Sequence, residues 1–296
     1  MDAMEVVLYV TSTEFVISLA ASIVITSSIS IYMVIKNKSS LVLAALRYVW
    51  YSLRKKKRIL FWCDDIAVTD AWKNVYHSGE KKGYSLITID ETRKVLRYPL
   101  SLIDIVVLVN TNVSQISSRH NESELIQNRL KKYAQKGGQL ILTHDIAWRR
   151  SRAKILCEAM KYKTDHFEKP DVDKITVNYV AKDLDCPLVK KFGDFKLKDG
   201  EVCWGGFHET WCHRILYETE VFDRIENERK TVPVMIYHKI RDGYIIWMNS
   251  GDKPLEEVSC DSLINPTKLY NIIEYIGTEK EMLDWSNGIS HCVCDD

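Results

Sequence analysis

The chain has 296 residues, 46% of them hydrophobic and 10% aromatic, enough for the core of one large domain or two small ones, which excludes an intrinsically disordered chain. Its 41 basic residues against 40 acidic ones leave a net charge of +1, so no global field draws it to nucleic acid. Eight cysteines, at 63, 157, 186, 203, 212, 260, 292 and 294, lack the dense spacing of a secreted disulfide scaffold and read as the reduced thiols of a cytosolic domain.

In chain order the first element is an anchor. Residues 15–35, FVISLAASIVITSSISIYMVI, carry no charge over 21 positions. A helix of that length, rising about 1.5 Å per residue, is roughly 31 Å long and matches a hydrocarbon core. No basic segment precedes it and the apolar run outlasts a signal-peptide core. Asp2, Glu5 and Glu14 come before the span, whereas Lys36, Lys38, Arg47 and the run RKKKR at 54–58 follow it. The positive-inside rule therefore predicts a single-pass protein of the cell membrane, N-terminus outside and C-terminal domain cytoplasmic.

Residues 41–53, LVLAALRYVWYSL, are too short to span. They predict a juxtamembrane amphipathic helix in the headgroup region, its aromatics at the interface and the basic run against anionic lipid. The expected partners are the lipid bilayer and either further copies of the chain or another membrane protein. The chain divides accordingly into an N-terminal segment with the transmembrane helix (1–38), the juxtamembrane helix (39–57), a cytosolic domain (58–278) and a tail (279–296).

The cytosolic domain alternates short β-branched runs with helical stretches. RILFWC (58–63) predicts strand one, residues 69–82 a helix, YSLITI (84–89) strand two and DIVVLVN (104–110) strand three. ELIQNRLKKYAQKGG, capped by Asn121 or Ser123, predicts an amphipathic helix with Leu125, Ile126, Leu130 and Tyr133 inward, ending at Gly137 and Gly138; QLILT (139–143) is strand four. The second half is less regular: strands at 175–180, 195–199 and 202–204, a hairpin turning at Arg241, Asp242 and Gly243, and a helix at 265–278. The fold class is α/β, a flavodoxin-like, mostly parallel sheet with helices on both faces. Ligands of such sheets sit at the carboxyl ends of the strands, which here bear Asp64, Asp65, Asn110, Thr143, His144 and Asp145.

The stretches LIQNRLKKYAQKGGQLILTHDIAW, CPLVKKFGDFKLKDGEVCW and VPVMIYHKIRDGYIIWMNSGD resemble the class I glutamine amidotransferase-like superfamily and, within it, the ThuA-like (trehalose utilisation) branch. The resemblance covers roughly three quarters of the chain, Arg58 to about Tyr275, and implies a flavodoxin-like fold. An amidotransferase needs a cysteine on the elbow after the strand that here is QLILT, because a thiolate attacks the amide. Thr143 and His144 stand there instead, which removes the basis for amidotransferase chemistry and agrees with the ThuA-like pattern. ILFWCDD is also similar to the start of a receiver domain, but Asn110 ends the strand where a phosphoacceptor aspartate would be required.

Several residues are candidates for a ligand cleft. Asp145 and Arg149 follow His144 at a helix start, a position that favours anions. Asp64 and Asp65 end strand one; Asn249, Ser250 and Asp252 follow the last strong strand. The stretch CWGGFHETWCHR (203–214) has the spacing C-x4-H-x3-C-H but lacks the repeated C-x2-C pairs of structural zinc sites, so no metal and no cofactor is assigned to it. It reads instead as a glycine-hinged loop carrying His208 and Glu209 over the strand ends, where they could join His144 as an acid/base pair. His291, Cys292 and Cys294 read as part of a short exposed tail.

The expected function is that of a non-catalytic module binding a small ligand or a partner and acting as sensor and effector in a membrane assembly, a design that suits antiviral defence. The alternative is a hydrolase or sugar-modifying enzyme using His144, His208 and Glu209.

Overall fold

The computed structural model describes residues 57–62, 84–89, 95–96, 98–108, 120–147, 153–168, 176–198, 201–207, 213–249, 271–276 and 280–289. The chain separates into two units, Met1–Trp50 and Tyr51–Asp296. The expected span at 15–35, the juxtamembrane segment and the helix at 69–82 lie outside the described residues; among the described residues no helix is long and apolar enough to cross a membrane.

Eleven strands are described: β1 (Lys57–Trp62), β2 (Tyr84–Ile89), β3 (Ile105–Leu108), β4 (Gln139–Thr143), β5 (Tyr162–Glu168), β6 (Thr176–Ala181), β7 (Phe195–Lys198), β8 (Val202–Phe207), β9 (His213–Asp223), β10 (Glu228–Ile240) and β11 (Gly243–Met248). Four helices accompany them: α1 (His120–Gln135), α2 (Lys154–Met160), α3 (Pro187–Phe192) and α4 (Lys280–Gly288), with residues 271–276 also helical.

Nine strands form one sheet in the order β2-β1-β3-β4-β11-β10-β9-β6-β7, while β5 and β8 pair separately. From β2 to β11 every pairing is parallel. This is the flavodoxin order, with β11 as the fifth strand. From β11 to β7 every pairing is antiparallel. The expectation of a mostly parallel sheet thus holds for one half only. The reason is loop length: β10 and β11 are joined by Arg241 and Asp242 alone, with Arg241 in the left-handed region at φ 50°, and a two-residue connection closes only an antiparallel pair.

Burial follows the topology. Every residue of β3, β4 and β11 is buried, as expected of central strands covered on both faces. β9 instead alternates, Tyr217, Thr219, Val221 and Asp223 being buried while Glu220 and Phe222 are exposed. Helix α1 buries Ile126, Leu130, Tyr133 and Ala134, but Leu125 is 60% exposed, against expectation. At about 100° per residue, Leu125 lies roughly 130° round the axis from the centre of that face. The helix stops at Gly137, whose φ of 92° only glycine adopts without strain, and Gly138 N–H returns to the Tyr133 carbonyl at 3.0 Å.

Candidate functional site: a histidine, glutamate and cysteine cluster at the carboxyl edge

β4 ends in buried Thr143, and the next residue, His144, turns the chain into a 3-10 turn, His144–Ala147, with φ at 31°. A non-glycine residue in that region costs on the order of 1–3 kcal/mol, which surrounding contacts must offset. They are present: the Trp247 indole N–H of neighbouring β11 donates to the His144 carbonyl at 3.2 Å, Tyr162 stacks at a tilt against Trp247 with centroids 5.1 Å apart, and the Cys157 thiol of α2 donates to the Ile146 carbonyl at 3.3 Å. The turn is therefore fixed, and the His144 side chain is fully buried.

Strand β8 brings the other half of the site. It pairs antiparallel with β5, Cys203 opposite Phe167 and Gly205 opposite Thr164. A Cβ on Gly205 would lie 2.1 Å from the Lys163 carbonyl oxygen, so the close approach of the two strands requires glycine there. Asn249, immediately after β11, clamps the strand entry: its Oδ1 accepts from Cys203 N–H at 2.8 Å and its Nδ2 donates to the Glu201 carbonyl at 2.9 Å. Glu201 and Cys203 are two apart in extended chain and so face the same side.

Three side-chain atoms then meet. His144 Nε2 lies 3.3 Å from Cys203 Sγ and 3.5 Å from Glu201 Oε1, and Cys203 Sγ lies 3.6 Å from the same Glu201 oxygen. His144 and Cys203 are buried and the Glu201 side chain keeps 17% of its surface exposed. A nucleophile relay needs a line, thiol to one ring nitrogen and carboxylate to the other. Here thiol and carboxylate crowd one nitrogen, so the arrangement is a triangle. Among the described residues it is a group able to offer three ligand atoms to one ion.

The expected site residues fare differently. His144 is at the carboxyl edge, and Asn249 beside it, though the Asn249 amide grips the β8 backbone. Asp145 belongs to the 3-10 turn. Asp64, Asp65, Asn110, Arg149, His208, Glu209 and Asp252 lie outside the described residues. The glycine pair at 205 and 206 is part of strand β8, not a hinged loop, a correction that follows from its pairing with β5. His213 is drawn elsewhere: its Nε2 donates to the Met160 carbonyl at 2.6 Å and its ring lies 4.9 Å from His238. The C-x4-H-x3-C-H spacing thus does not describe the cluster. Glu201 was not singled out from the sequence; its signal is the E-x-C alternation entering a strand.

The amino edge of the same sheet is unlike this. A groove of about 810 Å³ there is lined by Asp104, Arg129, Lys132, Tyr133 and Lys136 among others. Arg129 donates to the carbonyls of Leu96 and Tyr98, and Arg58 holds Asp104 through Nε at 3.0 Å and Nη2 at 3.4 Å.

Solved structures share the architecture. A ThuA-like protein from Bacteroides uniformis superposes with a TM-score of 0.51 at 12% identity, over 76% of this chain and 93% of its own. Another, from Parabacteroides merdae, gives a TM-score of 0.52 at 15% identity, over 76% of this chain and 90% of its own. No family profile matches the sequence, and no curated protein matches it. What the likeness establishes is the fold: the described residues share the α/β architecture of these ThuA-like proteins.

Proposed function

We propose that the chain is a ThuA-like module carried on a single membrane span, binding a small ligand or a partner at the carboxyl edge of its sheet and acting as a non-catalytic sensor and effector in a membrane assembly. The observation that carries this reading is His144. It occupies the strained elbow after β4, where an amidotransferase would hold its nucleophilic cysteine, with φ at 31° and its ring fully buried. The elbow is kept and the nucleophile is absent from it, so the position serves recognition. The apolar segment at 15–35 and the basic run after it support the anchor and its orientation. Native mass spectrometry of the detergent-purified full chain tests the reading: an oligomer retaining a small molecule is expected, and a ligand-free monomer would overturn it.

One observation favours a second reading, a thiol hydrolase: the Cys203 thiol and the His144 imidazole are 3.3 Å apart. Such an enzyme would trap a covalent acyl group on Cys203, visible as a mass increase on the peptide containing it when the protein is incubated with activated esters. The shared ring nitrogen, contacted by Glu201 as well, weighs against this chemistry.

A further inference from the structure

We infer that His144, Glu201 and Cys203 form a zinc site with three protein ligands and an open fourth position. The inference shares its location with the proposed ligand site but does not depend on oligomer assembly or on the anchor.

Zinc binds thiolate sulfur at about 2.3 Å, imidazole nitrogen at about 2.0–2.1 Å and carboxylate oxygen at about 2.0–2.2 Å, and in a tetrahedral site the edges joining these donors are then about 3.3–3.6 Å. The three edges here are 3.3 Å for nitrogen to sulfur, 3.5 Å for nitrogen to oxygen and 3.6 Å for sulfur to oxygen. The triangle already has the size of one face of the coordination tetrahedron. Donor chemistry agrees: one thiolate, one imidazole and one carboxylate make a mixed soft and hard set that suits zinc better than calcium or magnesium, which take oxygen ligands.

The support around the donors is that of a built site. His144 is held at its elbow by the Trp247 indole, and the backbone between Glu201 and Cys203 is clamped by Asn249. Outer contacts of this kind orient metal ligands. The donors come from two segments, the β4 elbow and the entry to β8, 57 and 59 residues apart, so the E-x-C spacing by itself does not mark a metal site. Glu201 keeps 17% of its side chain exposed, so the fourth position is assigned to its side of the triangle. A ligand oxygen or a water molecule would complete the shell there, and metal binding would release the Cys203 thiol proton to solvent.

Cobalt(II) titration of the metal-stripped full chain is the test. One equivalent is expected to give a near-ultraviolet thiolate-to-cobalt charge-transfer band and the visible bands of tetrahedral cobalt, both displaced by zinc. Cys203→Ser should abolish the charge-transfer band, and Glu201→Gln should weaken zinc binding at least about tenfold. At a zinc concentration 100 times the Kd, the Tm should rise by about 5–10 °C in the wild-type chain and stay unchanged in Cys203→Ser. Should Cys203→Ser fail to fold, protection of Cys203 from iodoacetamide by zinc in the wild-type chain decides the matter. No charge-transfer band, a band that survives in Cys203→Ser, or alkylation of Cys203 indifferent to zinc would each overturn the inference. None of these outcomes depends on whether native mass spectrometry finds an oligomer or a retained ligand.

Discussion

The two edges of the parallel sheet are built on opposite terms. At the carboxyl edge, ionisable side chains converge with little exposure: His144 buried on a strained backbone, Cys203 buried on β8 beside β5, and the partly exposed Glu201 at the third corner, with Trp247 and Asn249 holding the backbone. At the amino edge, charged side chains line an open groove and make local ties, Arg58 to Asp104 and Arg129 to two carbonyls. Burial and strain at the first edge cost stability and persist because many contacts fix one geometry. At the second edge Lys132 and Lys136 are exposed, and Arg58 and Arg129, though partly buried, are each tied to a nearby partner on an unstrained backbone, so the geometry there is less constrained. Burial and strain together mark the carboxyl edge as the place where the fold holds ionisable groups in one geometry.

That contrast predicts a ranking of mutational effects. The largest belongs to Gly205→Ala: its Cβ would meet the Lys163 carbonyl, so β5 and β8 must separate, at about 3 kcal/mol by overpacking. Thermal unfolding should show this loss, and a Tm within experimental error of wild type would mean that β8 is not held as described. Next comes Asn249→Ala, which leaves the buried Cys203 N–H and the Glu201 carbonyl without their side-chain partner, at about 2 kcal/mol. Asn249→Asp refines the point, since it keeps the acceptor for Cys203 N–H and loses the donor to Glu201. Because that carboxylate would be buried with one oxygen against the Glu201 carbonyl, a stability at or below that of Asn249→Ala is expected in urea titrations at pH about 7; a wild-type stability would refute the donation to Glu201.

Much of the parallel half was legible because its strands are continuous apolar runs and because α1 has a clean period; strand four at 139–143 has the bounds expected of it. The antiparallel half was less so. β9, HRILYETEVFD, alternates buried and exposed residues from Tyr217 onward, a period-2 signal diluted by the charges on its outer face. β5, YKTDHFE, buries Tyr162 and Thr164, too little apolar content for a pattern. The site followed the same rule. His144 could be placed because it directly follows a recognisable strand, whereas Glu201 and Cys203 meet it only through β8, which pairs with a strand the sequence does not announce. Distance along the chain, 59 residues between His144 and Cys203, hides a contact that pairing creates.

A smaller effect follows from buried thiols. Burial pushes the Cys157 thiol up to about 12 and the Cys186 thiol up to about 11, and it raises the hydroxyls of Tyr133 and Tyr162 as well. The folded state thus holds these protons more tightly than the unfolded chain, where a thiol titrates near about 8.5 and a tyrosine near about 10. Their stabilisation is fully present below the unfolded values and is lost as pH rises through them towards the folded ones. Because Cys157 donates to the carbonyl of Ile146 in the turn after His144, the carboxyl edge should loosen before the amino edge, where Tyr133 is the buried acid. Hydrogen exchange between pH about 8 and about 10 should show protection falling first around residues 144–147; simultaneous loss at both edges would argue against this order.

The smallest effects belong to the amino edge, and they are the control that gives the comparison its force. Arg58 and Asp104 side chains are 13% and 34% exposed, so part of their Coulomb energy is screened, and the pair should couple by about 1 kcal/mol or less in a double-mutant cycle, less again at high salt. Lys132→Ala, at the groove, should change stability by no more than about 0.5 kcal/mol, because Lys132 is exposed in the folded state. It should also leave the cobalt spectrum of the carboxyl edge untouched. If Lys132→Ala instead shifted either quantity by as much as Asn249→Ala, the groove would be coupled to the buried cluster through β4, which begins at one edge and ends at the other. The two edges would then be one system, and the separation drawn from their burial would be wrong.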